Sequence, residues 1–341
     1  MMQPDTSGLF ADPSSYFYAF EGDDALFVEM DRASYARSLF LDRRIVAKSE
    51  GVAKLPLTQL LQASSTKQQA ELGWIFHVAH CGSTLLANAL EQGDANLVLR
   101  EPRPLRQLAV SAVSQAGIPP PELLDLATAM LARRFQDTKS VIVKANVPVN
   151  FIIPDLMSRT PLSPAIFLHF ALEDYLYAIL RTPNHRRWVA NVTRDLLPAI
   201  EAKSGSLAGL DVAKRGAALW LAQMCQYAEA LVRYPNARSL DAELLFNEPR
   251  LAVAAAADFF ATPFADEALD ALIAGPAFSQ YSKGQGIEFD NQERLARRER
   301  LREQIGAEVL AARNWIAGLE VTKSLPARLN KALVGDAPLL L

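Results

Sequence analysis

Cysteine and histidine, the residues that build disulfide frameworks and most metal sites, are scarce in this sequence. Its 341 residues include two cysteines, Cys81 and Cys225, and four histidines. Two thiols so far apart make neither a disulfide framework nor a metal site, so we expect no bound metal and a reducing compartment. The N-terminus also lacks a basic stretch followed by an apolar one, which predicts no signal peptide and a cytoplasmic protein.

Long apolar runs and a surplus of basic charge are lacking as well. The most apolar short run covers residues 251–257, far below the roughly 18 apolar residues that a membrane span needs. The formal net charge is −3, which gives no reason to expect nucleic acid as a partner. Hydrophobic residues make up 50% of the chain, a composition typical of a globular protein with a sizeable core. The sequence does not predict the number of subunits.

The hydrophobic pattern changes near residue 70. Before it, two short apolar runs at 16–20 and 25–30 flank a polar turn and predict a β-hairpin, so residues 1–70 are predicted to form a small accessory region. From Trp74 onward, short apolar strands alternate with helical stretches, which indicates a parallel sheet with helices on both faces. We therefore predict an α/β protein: a three-layer P-loop domain over 71–330, with a central, mainly parallel sheet, plus the N-terminal elaboration.

The most informative segment is 74–86, where a buried strand runs through a short loop directly into a helix. The first amides of such a helix and its positive dipole end favour an anion. Gly82 allows close approach of the backbone, and the hydroxyls of Ser83 and Thr84 are further donors. The alternative is that these two hydroxyls only cap the helix. A Walker lysine is lacking from the loop, which disfavours a kinase or ATPase of that type.

The loop at 79–85 resembles the 5′-phosphosulfate loop of PAPS-dependent sulfotransferases, whose pattern is roughly P-[KR]-S-G-T-T-[WL]. The resemblance covers about residues 74–261, because further segments resemble elements of that family in the same order. These segments are residues 99–102, 143–144, 167–180 and 239–249. The resemblance implies a P-loop transferase that moves a sulfuryl group from a PAPS-type nucleotide to a hydroxyl or amine of an unknown acceptor.

The resemblance also implies which residues contact the donor, PAPS, or its product, adenosine 3′,5′-bisphosphate. The loop residues expected to do so are Cys81, Gly82, Ser83, Thr84 and Leu85. The sequence departs from the family at two places. His80 occupies the position of the usual loop Lys or Arg, and His169 stands at the strand end where the family has an Arg for the 3′-phosphate. The cations that we expect to replace it are the nearby Arg181, with Arg186 and Arg187 as alternatives, and Lys283 in a later segment. His169 is either a ligand contact or a packed core histidine.

Two residues at predicted strand ends are candidates for the chemistry. Glu101 follows the second strand of the domain and Lys144 ends the third, so a parallel sheet brings both to its C-terminal edge, where ligands bind in open α/β folds. Glu101 is the candidate general base, and Lys144 and His80 would stabilise charge on the transferred group and the leaving oxygen. The alternatives are that Lys144 is a solvated loop lysine and that Glu101 only forms an ion pair with a neighbouring arginine. Those neighbours are Arg100, Arg103 and Arg106.

Two other functions remain open. One is a non-catalytic protein that binds a nucleotide or another small anion with the same fold, and the other, less favoured, is a divergent kinase.

Overall fold

The computed structural model describes residues 8–64, 71–91, 95–115, 117–279 and 291–341. Within these ranges the strands form two sheets, one of three strands and one of five. The strands are β1 (Ser15–Glu21), β2 (Asp24–Glu29), β3 (Ala53–Pro56), β4 (Gly73–His77), β5 (Asn96–Arg100), β6 (Ser140–Lys144), β7 (Ala165–His169) and β8 (Ala237–Asp241).

Helices connect and cover these strands. They are α1 (Arg32–Arg37), α2 (Leu57–Ser64), α3 (Ser83–Ala89), α4 (Arg103–Ser114), α5 (Pro121–Leu131), α6 (Ile153–Met157), α7 (Leu172–Leu180), α8 (Pro183–Asp195), α9 (Leu197–Ser204), α10 (Val212–Arg233), α11 (Ala242–Asn247), α12 (Pro249–Phe259), α13 (Asp266–Ala274), α14 (Pro276–Ser279), α15 (Asn291–Ala317) and α16 (Glu320–Ser324). Short 3₁₀ helices cover Gly8–Phe10 and Val147–Ile152. In the ranges that the structure describes, no helix combines the length and the hydrophobicity needed to cross a bilayer.

The five-stranded sheet is entirely parallel, with the order β5-β6-β4-β7-β8. Strand β4 lies in the middle, and the chain continues from it first to one side of the sheet and then to the other. The loop after β4 therefore stands at the point where the strand order reverses, which is the usual ligand position in open α/β sheets. The predicted α/β fold with a central parallel sheet is confirmed.

Both faces of this sheet are covered, which explains why its strands are nearly continuous apolar runs. On one face, the ring of Tyr227 in α10 packs on Phe167, with 4.8 Å between the ring centroids. On the other, Phe260 lies so close to Gly73 that a Cβ there would be 2.8 Å from its ring. Helix α10 begins where the Asp211 side chain accepts a hydrogen bond from the amide of Lys214.

The predicted N-terminal hairpin is also present. Strands β1 and β2 pair antiparallel, and β3 adds to the outer side of β2. Gly22, with φ of 60°, lies in the tight turn between β1 and β2, where a left-handed residue is needed. This region packs on the five-stranded domain through one hydrophobic core that both share.

A buried arginine joins the two parts of the chain. The guanidinium of Arg133, just after α5, donates through Nη1 to three carbonyl oxygens of the N-terminal region: those of Leu9 at 2.7 Å, Asp12 at 3.0 Å and Ser15 at 2.7 Å. Its Nε donates to the carbonyl of Met130 at 2.6 Å. A single side chain thus satisfies acceptors that would otherwise lose their hydrogen bonds on burial.

We predict that Arg133→Ala lowers the free energy of unfolding by about 2–4 kcal/mol, because several carbonyls lose their donor at once. The neighbouring Arg134 is exposed, and among the described residues it makes only a long contact with the carbonyl of Lys139. Arg134→Ala should therefore change the free energy of unfolding by less than about 0.5 kcal/mol. Urea unfolding of both variants measures the difference. Equal effects for the two would contradict the role given to Arg133.

Candidate functional site

The loop after β4 has an unusual backbone conformation. Ala79, His80 and Gly82 have positive φ angles of 75°, 52° and 80°. Two of these residues are not glycine, and such left-handed residues cost of order 1–3 kcal/mol each, a strain often found at ligand sites. At Gly82 only glycine fits, because a Cβ would lie 2.8 Å from the ring of Phe246. The amide of Ala79 donates to Nδ1 of His77 at 3.1 Å, which stabilises the turn.

The loop residues differ in how accessible they are. His80 and Gly82 are half-buried, whereas the side chains of Cys81, Thr84 and Leu85 are buried. The thiol of Cys81 lies 3.9 Å from the carbonyl of Leu168 and is closed to solvent, which argues against a catalytic thiol. A ligand would therefore approach the loop from the side of His80 and Gly82.

The hydroxyl of Thr84 has an unsatisfied hydrogen-bonding capacity. Thr84 is 3% exposed, and its Oγ1 has no hydrogen-bond partner among the residues that the structure describes. Leaving a buried hydroxyl without a partner costs about 1–3 kcal/mol. Such a group is suited to an anion oxygen or a bridging water at the start of α3. Ser83, the preceding residue, is also buried.

His80 and Arg181, both predicted to contact the donor, are brought together by a histidine that the sequence analysis did not single out. The imidazole rings of His80 and His185 lie 4.6 Å apart, and the indole of Trp188 packs edge-on against His80 at 5.2 Å. Arg181 donates from Nε to Nε2 of His185 at 2.9 Å. A cationic group thus lies next to the loop, supplied by the end of α7 and the start of α8. Thr182, which caps α8, was the local signal for this helix start.

Glu101 and Lys144, the two candidates for the chemistry, form a direct ion pair. The ammonium Nζ of Lys144 lies 2.5 Å from Oε1 of Glu101, and the Glu101 amide donates to the Lys144 carbonyl at 2.7 Å. The Lys144 side chain is only 1% exposed, whereas that of Glu101 is 18% exposed. Glu101 has a left-handed φ of 57°, which turns the chain away from the sheet directly after β5. The ring of Phe40, from the N-terminal region, covers the ammonium at 5.1 Å.

The neighbouring arginines do not pair with Glu101. Arg100 forms an ion pair with Glu91, and Arg106 pairs with Asp195 at 3.0 Å. Arg103 instead lies over the ring of Tyr18 at 5.0 Å. The alternative that Glu101 serves only to neutralise one of these arginines is therefore wrong.

His77 is a second residue that the sequence analysis did not assign to the site. It is the last residue of β4 and is buried, and its Nε2 lies 3.8 Å from the same Oε1 of Glu101 that contacts Lys144. Because His77 also accepts from the amide of Ala79, it contacts both the loop and the ion pair. Its position at the end of an apolar strand was the only signal in the sequence.

His169 lies in the core rather than on the exposed edge. It is fully buried, and burial lowers its pKa to about 4. Its register partner on the neighbouring strand is Asp241, whose pKa burial raises to about 6. This placement favours the packed-histidine alternative. Lys283 lies outside the described residues.

Two arginines of α15 form ion pairs with carboxylates of α11 and α7, close to the loop. Arg294 binds Glu243 with both terminal nitrogens, at 2.6 and 2.8 Å, and its guanidinium lies 4.4 Å from the ring of Phe246. Arg298 contacts Asp174 at 2.5 Å. These contacts hold α11 in place, and with it the Phe246 ring that lies against Gly82. Among the described residues, no cluster of three His, Cys, Asp or Glu side chains has the arrangement of a metal site.

We predict that His169 makes the protein less stable in acid. Its pKa is lowered in the folded state, so the unfolded chain binds the proton more strongly, and stability falls as the pH drops from about 6.5 towards 4. Between about pH 7.5 and 5 the loss attributable to His169 is roughly 2 kcal/mol. Urea unfolding at both pH values should show a smaller acid loss for His169→Gln than for the wild type.

The opposite control is Asp241→Asn. The raised pKa of Asp241 adds stability below about pH 6, so removing this carboxyl should make the acid loss steeper. An unchanged acid loss in His169→Gln would contradict the assignment of a buried neutral imidazole.

Comparison with known proteins identifies similar structures at low sequence identity. A sulfotransferase domain from the curacin biosynthetic pathway is 16% identical, with a TM-score of 0.41, and the match covers 70% of this chain and 99% of that domain. A sulfotransferase from Alicyclobacillus acidocaldarius is 11% identical, with a TM-score of 0.40, over 73% of this chain and 95% of that protein. The sulfotransferase domain of the Synechococcus PCC 7002 olefin synthase is 13% identical, with a TM-score of 0.37, and the match covers 67% of this chain and 84% of that domain.

No family model and no curated protein sequence matches this chain. The similarity to the curacin domain, over 70% of this chain, concerns the fold alone.

Proposed function

We propose that this protein is a sulfotransferase-like enzyme that transfers a sulfuryl group from a PAPS-type nucleotide to a hydroxyl or amine of an acceptor. The observation that carries the proposal is the contact chain at the C-terminal edge of the sheet. It runs from the loop amide of Ala79 through His77 to Glu101 and Lys144. A strained anion loop, a carboxylate and a buried ammonium are the groups that this chemistry needs.

Glu101 is the proposed general base. Its Oε1 is engaged by Lys144 and faces His77, whereas Oε2 accepts no hydrogen bond from the residues that the structure describes. The partly exposed Oε2 can accept the proton of an acceptor hydroxyl. Lys144 holds the carboxylate through Oε1 and brings a positive charge to the same edge of the sheet.

The donor supplies the electrophilic sulfur when it is bound: the acceptor oxygen forms a bond to sulfur as the bond between sulfur and the phosphate oxygen breaks. The released group is adenosine 3′,5′-bisphosphate, and the acceptor's proton goes to Glu101. The chain's own contribution is to hold anionic oxygens at Gly82 and Thr84, and to offset charge with His80, Arg181 and Lys144.

The residues fit the two ends of the donor unequally. Oγ1 of Thr84, which has no hydrogen-bond partner among the described residues, and the left-handed Gly82 suit the 5′-phosphosulfate group. For the 3′-phosphate, two of the described cations near the loop are already engaged: Arg181 with His185, and Arg186 with both carboxylate oxygens of Glu308 at 2.8 and 2.7 Å. We therefore propose that the grip on the 3′-phosphate is weaker than in the family that the sequence resembles.

The second candidate is a protein that binds a nucleotide or small anion without catalysis. It is favoured by His80, whose ring is packed against His185 and Trp188 at the position of the family's flexible Lys or Arg. Histidine is only partly cationic at neutral pH, so it would stabilise a leaving phosphate less well. Binding without turnover distinguishes this candidate from the enzyme.

We predict that Glu101→Gln lowers turnover about 10²–10⁴-fold while nucleotide binding survives, because the amide keeps the shape and loses the base. Binding is measured by thermal shift with PAPS, adenosine 3′,5′-bisphosphate, ATP, GTP and sulfate, and turnover by release of adenosine 3′,5′-bisphosphate with a panel of alcohols, phenols and amines. The substitution leaves Lys144 without its anion, which costs about 3–5 kcal/mol of stability. The assays therefore run well below the variant's melting temperature.

Glu320→Gln is the matched control, since it removes a carboxylate from an exposed ion pair with Lys323 on helix α16. It should leave turnover within about twofold of wild type, because surface ion pairs contribute little. Stabilisation of the wild type by none of the nucleotides would contradict the proposal. Stabilisation without release of product by any acceptor would support the non-catalytic candidate.

A further inference from the structure

We propose that His77 is a positioning residue that joins the anion loop to the base, so that the two halves of the site keep a fixed geometry. The inference rests on the proposed function and adds a residue that neither the sequence motifs nor the family resemblance assigns. Three observations carry it: the tautomer that the loop imposes on His77, the atom of Glu101 that its ring faces, and the way its backbone is anchored.

The loop imposes one tautomer on His77. The Ala79 amide donates to Nδ1 at 3.1 Å, so Nδ1 must carry a lone pair and the ring proton lies on Nε2. A proton on Nδ1 would set two donors against each other and would break the turn at Ala79. The present left-handed conformation of Ala79 therefore requires His77 with its N–H at Nε2.

The Nε2 side of the ring faces the base. Nε2 lies 3.8 Å from Oε1 of Glu101, the oxygen that Lys144 Nζ contacts at 2.5 Å. The Lys144 ammonium thus holds this oxygen and the His77 ring faces it, from two neighbouring strands. Oε2 is left as the oxygen that can face an acceptor. A modest closing of the site would shorten 3.8 Å to hydrogen-bond length.

The backbone of His77 is anchored as firmly as its ring. Its carbonyl accepts a hydrogen bond from Nδ2 of Asn150 at 3.0 Å, and the same nitrogen donates to Oε1 of Gln223 in α10 at 2.7 Å. Both of these partners are fully buried. The strand end that carries the ring is therefore fixed, and the ring lies between the loop at Ala79 and Glu101.

Two substitutions separate the two contacts of the ring. His77→Asn places an amide oxygen near the position of Nδ1, where it can accept from Ala79, but it does not reach Glu101. His77→Gln places its amide group near the position of Nε2, where it can donate to Glu101, but it loses the acceptor for the loop. We expect His77→Asn to retain nucleotide affinity within about threefold and to lower kcat roughly 10–100-fold, as for a misplaced catalytic group.

His77→Gln should show the converse pattern, with weaker nucleotide binding and a smaller loss in kcat. Calorimetric titration with adenosine 3′,5′-bisphosphate and product release with PAPS measure the two quantities. A merely structural role would make affinity and kcat fall together in both variants, in proportion to their loss of stability, and that result would overturn the proposal.

A nitrogen-15 NMR measurement tests the geometry without any nucleotide. In the wild type, His77 should show an unprotonated Nδ1 and a protonated Nε2, and Glu101→Gln should move the Nε2 resonance while the tautomer stays the same. The other three histidines serve as internal references. An Nδ1–H tautomer, or an Nε2 resonance that ignores Glu101→Gln, would overturn the proposal even if the Asn and Gln variants fail to fold.

The NMR measurement also distinguishes a failure of the proposed function from a failure of the role of His77. If no nucleotide binds but the tautomer and its response to Glu101→Gln are as expected, the proposed function fails and the link between the loop and the carboxylate stands. If nucleotides bind and turn over but the tautomer is reversed, the proposed function stands and the role of His77 fails.

Discussion

The ion pair between Lys144 and Glu101 constrains the whole C-terminal edge of the sheet. An ammonium that is 1% exposed needs an anion within contact distance, and Glu101 is the carboxylate that contacts it. This need accounts for the left-handed backbone of Glu101, which turns its side chain back over the end of β6. It also accounts for the position of the N-terminal region, whose Phe40 ring excludes water from the ammonium.

The same edge carries a second strained turn, at Ala79 and His80, and His77 lies between the two. Strain in a loop persists only when its surroundings fix it. Here the surroundings are Phe246 against Gly82, the α15 arginine that stacks on Phe246, and the ring of His77 under the Ala79 amide. The helices that cover the sheet therefore do more than bury apolar surface, because they also set the loop conformation.

Much of the fold could be predicted because its signals are local. The five apolar runs of the parallel strands and the turn around Gly22 each depend on residues next to one another in the chain. Glu101 and Lys144 were predictable for a related reason: each stands at a strand end, and a parallel sheet places such ends at one edge. The two side chains do contact each other, while their roles in catalysis stay a proposal.

The parts that could not be predicted depend on contacts between distant segments. Nothing near Phe40 indicates that it will cover Lys144, and nothing near His185 indicates that its ring will meet His80. Nothing next to His77 indicates that its ring will face Glu101, because a histidine at the end of an apolar strand can be packed or functional. His169 also ends an apolar strand, and the structure places it in the core.

The central claim is that the loop at Ala79 to Thr84 holds the phosphate end of a nucleotide beside Glu101 and Lys144. A crystal structure with adenosine 3′,5′-bisphosphate tests it most directly. We expect the 5′-phosphate to lie against the amides of Gly82 and Ser83, with Oγ1 of Thr84 donating to a phosphate oxygen at about 2.7 Å. A nucleotide bound elsewhere, or a loop that stays without phosphate while Thr84 donates to protein, would contradict it.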